Sequence, residues 1–197
     1  IKNFVESHFN NVERVSYSKL TMDAYEYFNK NILELWEKSP SMTLGNKVHN
    51  AAEAIFKDEK YEVDEKTNKY VENVKTLIKE IKTDYPEKLY AEKNVKVPIS
   101  KLIETDETIL FKGLIDAVFK GGNKYLIVDW KTSWNENYAG EHRQQLEMYK
   151  KLFSISEGIN PENITVAIGY VGLRKKVNDG TIKAKLDTKQ PAKTAFI

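Results

Sequence analysis

The chain has 197 residues, 41% of them apolar and 30% charged, which excludes a disordered polymer and suffices for one large domain with its own core. No apolar run approaches a membrane span, no secretory signal is visible, and the absence of Cys excludes disulfides and cysteine-held clusters. The net charge of +2 is small for a nucleic-acid-binding protein, but its distribution is uneven. Residues 173–197 hold seven basic side chains (Arg174, Lys175, Lys176, Lys183, Lys185, Lys189 and Lys193) against Asp179 and Asp187. Such a segment either attracts a phosphate backbone by counterion release or is a solvated Lys-rich tail, and composition leaves both open.

Residues 1–11, polar with Phe4, Val5 and Phe9 on one side, read as a short helix, and 16–21 as an extended entry segment. Residues 22–38 read as a helix, with Tyr25, Phe28, Ile32, Leu35 and Trp36 at helical spacing. Ser39-Pro40-Ser41 marks a break, followed by a helix around His49 that runs to about Phe56. A polar stretch over 57–66 leads to an amphipathic helix over 67–83, built on Tyr70, Val71, Val74, Leu77, Ile78 and Ile81. After Tyr85-Pro86 the pattern changes to strands at 89–97, 108–119 and 125–128. A helix around Gln145 and a strand over 164–171 complete an α/β layout around a mixed sheet, without internal repeats. The expectation is a single domain: a helical N-terminal extension (1–43), a core (44–172) and the basic C-terminal segment (173–197). Ile rather than Met at position 1 leaves open a fragment of a longer protein.

Asp129-Trp130-Lys131 ends the buried strand Tyr-Leu-Ile-Val, where an acid and an amine are unexpected. Positions two apart share a strand face, so Asp129 and Lys131 point one way and Trp130 the other. Lys-Gly-Gly-Asn-Lys joins this strand to 108–119 as a hairpin. A turn centred on Gly122-Asn123 sets Asp116 opposite Asp129, and a slip to Gly121-Gly122 keeps the face but moves the partner by two. Opposed carboxylates repel unless a cation lies between them or one is protonated. The plain alternative is a solvent-facing hairpin with Lys131 as a salt-bridge partner.

Gly-Leu-Ile-Asp116 followed by Val-Asp129-Trp-Lys131-Thr resembles the paired motifs of the PD-(D/E)XK nuclease superfamily, in its RecB-like branch. Upstream, Gly45-Asn-Lys-Val-His49-Asn-Ala-Ala-Glu53 resembles that branch's Gly-x-x-x-His-x-x-x-Glu helix. Downstream, Gln145-Leu-Glu-Met-Tyr149 resembles its Gln-x-x-x-Tyr helix. The four motifs stand in the family's order over residues 16–174. Ile115 replaces the Pro of the superfamily name and Asp129 its Glu, both usual in this branch; the cysteine-containing entry motif of some relatives has no counterpart in 16–27.

The resemblance implies a restriction-endonuclease-like αβββαβ core with a mixed central sheet and additional N-terminal helices. It implies a metal-dependent DNA nuclease, an exonuclease or the nuclease module of a recombination, repair, phage or CRISPR-adaptation system. An inactive DNA-binding or structural module of the same fold is the alternative. Asp116 and Asp129 would be hard oxygen ligands for Mg²⁺ or Mn²⁺, joined by the Trp130 backbone carbonyl and His49, whose imidazole favours Mn²⁺. Lys131 would orient or deprotonate the attacking water and offset charge on the phosphate. Gln145 and Tyr149 share a helical face and would contact the DNA backbone or Lys131; Tyr149 also fits a core position. Glu53 would orient His49 or is an ordinary acid of the helix surface, and Glu92 is a further acid for the metal. Trp134 and Tyr138 would stack on a frayed base or pack on a loop. No iron–sulfur cluster is expected. Single- or double-stranded DNA is the expected partner in the cytoplasm, and a helicase or recombination partner and a homo-oligomer are compatible with the family.

Overall fold

In the computed structural model, which describes residues 13–33, 35, 39–174 and 180–190, six strands form one mixed sheet. The elements are β1 (Arg14–Ser16), α1 (Tyr17–Leu20), α2 (Ala24–Tyr27) running into a π turn (Phe28–Ile32), α3 (Pro40–Phe56) and α4 (Glu65–Ile81). Then follow β2 (Glu87–Pro98), β3 (Leu110–Gly121), β4 (Lys124–Lys131), α5 (Ala139–Glu157), β5 (Ile164–Arg174) and β6 (Ile182–Asp187). The sheet runs β1-β3-β4-β5-β6, with β2 also paired to β3. Helix α5 carries the chain from β4 to a parallel β5, and the αβββαβ core expected from the sequence is present.

The sheet buries both faces. On one, Val118, Ile127 and Ile168 pack with Leu146, Leu152 and Phe153 of α5. On the other, Phe119, Leu126, Val128 and Trp130 pack with Val48 of α3 and Val74 and Leu77 of α4. Ser39 caps α3 by accepting the Met42 N–H, and Pro40 occupies the first turn, so the expected break is where the helix starts. That start also carries α3 across the expected boundary between 43 and 44. Among the described residues no helix is long and apolar enough to cross a membrane.

Three expectations are corrected. Within 16–21 only Ser16 is extended; pairing with β3 ends there, and Tyr17–Leu20 is helical, with the Tyr17 hydroxyl reaching Gln144 Oε1 at 3.4 Å. Residues 22–33 are not one regular α-helix: α2 passes into the π turn, and among the described residues Tyr25, Leu33 and Leu35 are exposed. The basic C-terminal segment is not simply a tail, because β6 pairs antiparallel with β5. Arg143 Nη2 of α5 holds the buried Asp187 at 2.6 Å, and Lys185 pairs with Glu136. The helix expected at 1–11, and Trp36, Lys175, Lys176, Asp179 and Lys193, lie outside the described residues.

The edges of β3 are divided unequally. Strand β2 pairs with β3 from Leu110 to Lys120 and takes one edge. Strand β4 pairs at Ala117–Gly121 and β1 at Leu110–Lys112, so both must share the other edge. Among the described residues, 113–116 between them have no strand partner on that edge.

Strand β5 carries Gly169 opposite Trp130, and a Cβ there would lie 2.6 Å from the Trp130 ring atom Cζ3. The indole is 2% exposed and cannot move outward. Gly169→Ala is expected to destabilise the protein by roughly 1–3 kcal/mol through overpacking, measured by urea denaturation; an unchanged midpoint would show that the indole has room to shift.

Candidate active site

The hairpin has the register read from its turn. Gly122-Asn123 forms a two-residue turn with Gly122 at φ +62°, and the pairs run from Gly121 with Lys124 to Ala117 with Val128. At the next rung the ladder stops. There the Trp130 backbone N–H donates to Asp116 Oδ2 at 2.8 Å, so a side chain takes the place of a strand partner. The two strands fork just past Ala117 and Val128, and Asp116 and Asp129 beyond that rung line one cavity.

Strands β2 and β3 also reverse their faces at the level of Asp116. Phe111 and Ile115 pack towards α5, whereas Ala117 and Phe119 pack towards α3 and α4, although all four would share a face in a regular strand. Strand β2 does the same between Val95 and Ala91. The register flanking the reversal, Ala91 with Ala117 and Lys93 with Ile115, sets Glu92 opposite Asp116. Glu92 has φ +49°, a left-handed conformation that costs a non-glycine residue on the order of 1–3 kcal/mol.

Across the fork lies α3. His49 Nδ1 is 3.3 Å from Asp116 Oδ2, and one donor atom each from His49, Glu92 and Asp116 all lie within 4.8 Å of one another. One imidazole nitrogen and two carboxylate oxygens at this separation fit a divalent cation. Asp129 enters the same cavity of about 590 Å³, but its Oδ2 faces Lys131 Nζ at 2.7 Å. Gln145 and Tyr149 line it too, and Gln145 Nε2 donates to the Tyr149 hydroxyl at 2.9 Å. The Tyr149 ring is core and its hydroxyl is site, so the two readings of that residue coincide. Glu53 lines the cavity but directs Oε1 to Lys57, and no bond joins it to His49 among the described residues. Trp130 offers a backbone N–H, while its indole packs on the far face.

A family model for the PD-(D/E)XK nuclease superfamily matches residues 16–196. The chain belongs to that superfamily. No curated protein matches it. Among solved structures, one described as "Crystal structure of SSO0001" is 16% identical, with a TM-score of 0.45 over 97% of this chain and 76% of that one.

In this member of the superfamily the charges are tightly interlocked. Burial pulls the His49 imidazole down, but its bond to Asp116 and the nearby carboxylates outweigh this and hold it above the ordinary histidine value. Burial likewise opposes the charge on Lys131, yet Asp129 and Asp116 keep it more firmly protonated than a free lysine. Burial pushes the Asp129 carboxyl up, against the pull of Lys131. Glu92 is raised to about 7, first by burial and then by the Asp116 charge across the rung. Asn46 and Asn50 also line the cavity and were not singled out from the sequence. They share the helical face of Gly45, His49 and Glu53, and the same spacing could have found them.

A carboxyl whose pKa is higher in the fold than in the open chain stabilises the fold at low pH. That contribution is lost as pH rises from its ordinary value of 4.5 through about 7. In chelator, Glu92→Gln is therefore expected to unfold at a higher temperature than the parent at pH 8, with the difference closing by pH 4. Saturating Mn²⁺ should reverse the order at pH 8, because only the parent keeps the full donor set. Thermal melts across this pH range test it, and a pH-independent offset would refute it.

Proposed function

We propose that the protein is a Mg²⁺- or Mn²⁺-dependent DNA nuclease of the RecB-like branch, acting on intracellular DNA in recombination, repair, phage replication or CRISPR adaptation. The observation that carries this is the cluster of His49, Glu92 and Asp116 beside the buried Asp129–Lys131 pair. Exonuclease action or service as a helicase-linked module is the form that the motif resemblance favours.

His49, Glu92 and Asp116 would hold the cation, with Asp129 and the Trp130 carbonyl as the further donors that the resemblance implies. When bound, it would lower the pKa of a coordinated water and polarise a phosphoryl oxygen. Lys131 meets the phosphate as an ammonium. Its proton is held by Asp129, so its contribution is to offset charge growing on the phosphate and to orient the water, not to take up a proton at rest. The Tyr149 hydroxyl accepts from Gln145, and burial keeps it protonated, which leaves its own proton for a phosphate oxygen. His142 is pushed down to about 4 by burial and by Lys131, so it adds no charge near the ammonium.

The test is digestion of linear single- and double-stranded DNA with Mg²⁺ or Mn²⁺. Lys131→Ala should slow cleavage by about 10²–10⁴-fold, and Asp129→Ala at least as much. If the wild type cuts neither substrate with either metal, or both variants cut as well as it does, the reading fails and an inactive DNA-binding module takes its place.

Gly45 allows a second test. Among the described residues a Cβ there would meet only Thr132 Oγ1, at 3.8 Å, an ordinary contact that does not require a bare helix backbone. Glycine in a helix interior costs roughly 0.5–1 kcal/mol relative to alanine. Gly45→Ala should stabilise the fold by that amount and slow turnover, because the methyl group enters the space kept for substrate. Gained stability with unchanged turnover would show that the substrate does not approach α3 at this point.

A further inference from the structure

A second cavity, of about 640 Å³, adjoins the metal cluster, and Ser41 and Thr132 line both. Thr132 directly follows Lys131, so the two spaces meet where the scissile phosphate would lie. Its walls carry Tyr70, Trp134 and Tyr138, and the last two are 59% and 60% exposed. Gly172 forms part of the lining, where a Cβ would press on the Thr132 carbonyl and lie 2.8 Å from the Tyr70 ring.

The loop holding Trp134 is fixed. The Arg174 backbone N–H donates to the Trp134 carbonyl at 3.2 Å, and the Arg174 guanidinium lies 4.3 Å from the centre of the indole. Packing therefore accounts for part of the ring, and among the described residues no neighbour covers the remainder. Among the described residues neither Arg174 nor Lys69, the second cation of this wall, has a carboxylate partner. Exposed aromatic faces interleaved with unpaired cations suit bases that stack while their backbone phosphates are neutralised. A duplex cannot use such a wall, because its base faces are already stacked on one another.

We infer that this cavity is a base-stacking subsite for the unpaired nucleotides flanking the scissile phosphate, with Trp134 as its platform. The inference rests on the nuclease reading above and adds to it a preference for single-stranded DNA or frayed ends. Arg174 orients the indole and meets a phosphate, and Tyr138 extends the platform at the head of α5.

The experiment is anisotropy of a fluorescently labelled oligothymidylate and of a blunt hairpin duplex of equal charge, with the full chain in EDTA. Trp134→Ala is expected to weaken single-strand binding about tenfold, with duplex binding unchanged and Trp134→Phe within about twofold of wild type. Undiminished single-strand affinity in Trp134→Ala overturns the subsite, as does an equal loss on the duplex or failure of Trp134→Phe to restore binding. Because cleavage is blocked in EDTA, the two readings separate. Trp134-dependent binding by a protein that cuts nothing upholds the subsite and refutes the nuclease. Metal-dependent cleavage with Trp134-independent binding does the reverse.

Discussion

One edge of β3 is shared by two strands that do not meet. Strands β4 and β1 cover its two ends and, among the described residues, leave 113–116 without a strand partner on that edge. Backbone groups at such a gap need other partners, and carboxylates there need counter-charges. Asp116 supplies the first by taking the Trp130 N–H, and α3 closes over the opening to bring His49 to the same oxygen. The cavity exists because the sheet is incomplete at this rung. Its donors are held by strands and a helix rather than by loops, which limits how far each can stray.

The same arrangement leaves the site under electrostatic and conformational load. Glu92 combines a left-handed backbone with a carboxyl raised by burial and by Asp116, and Asp129 is buried against a single ammonium. Neither feature helps the chain fold. A cation among the acids would offset the charge part of this load, and strain that persists in a folded protein tends to mark the place where it acts. Within this balance Asp129 keeps Lys131 charged, whereas burial works against the charge on Asp129 itself.

Much of this was legible in the sequence, for identifiable reasons. The hairpin register followed from a Gly-Asn turn and a strict period of two, and the structure reproduces it pair by pair until the fork. His49 and Gln145 could be singled out only through a motif resemblance, because helical spacing alone does not say which face meets the sheet. Glu92 could be named only from its place in the strand before the hairpin, because β2 reverses its face there and a period of two does not set this residue beside Asp116. Strand β6 went unread although Ile182, Ala184 and Leu186 alternate with polar residues, because the lysines between them suggested a tail. The helix expected over 22–38 had the right spacing, but among the described residues Tyr25 and Leu35 of that stripe stand exposed.

The joint reversal at Glu92 and Asp116 has a consequence for how this protein can change length. Its two strands stay in register only because both switch faces at one rung. A single residue inserted or deleted on either side of that rung, in one strand alone, would send the two acids to different faces and turn a row of core residues outward. Fold and site would fail together, and no compensating change confined to the other helices could restore them. Changes in length are therefore excluded from the rungs next to Glu92 and Asp116, whereas farther along β2 the register shift between Lys88 and Tyr90 already takes up one extra residue.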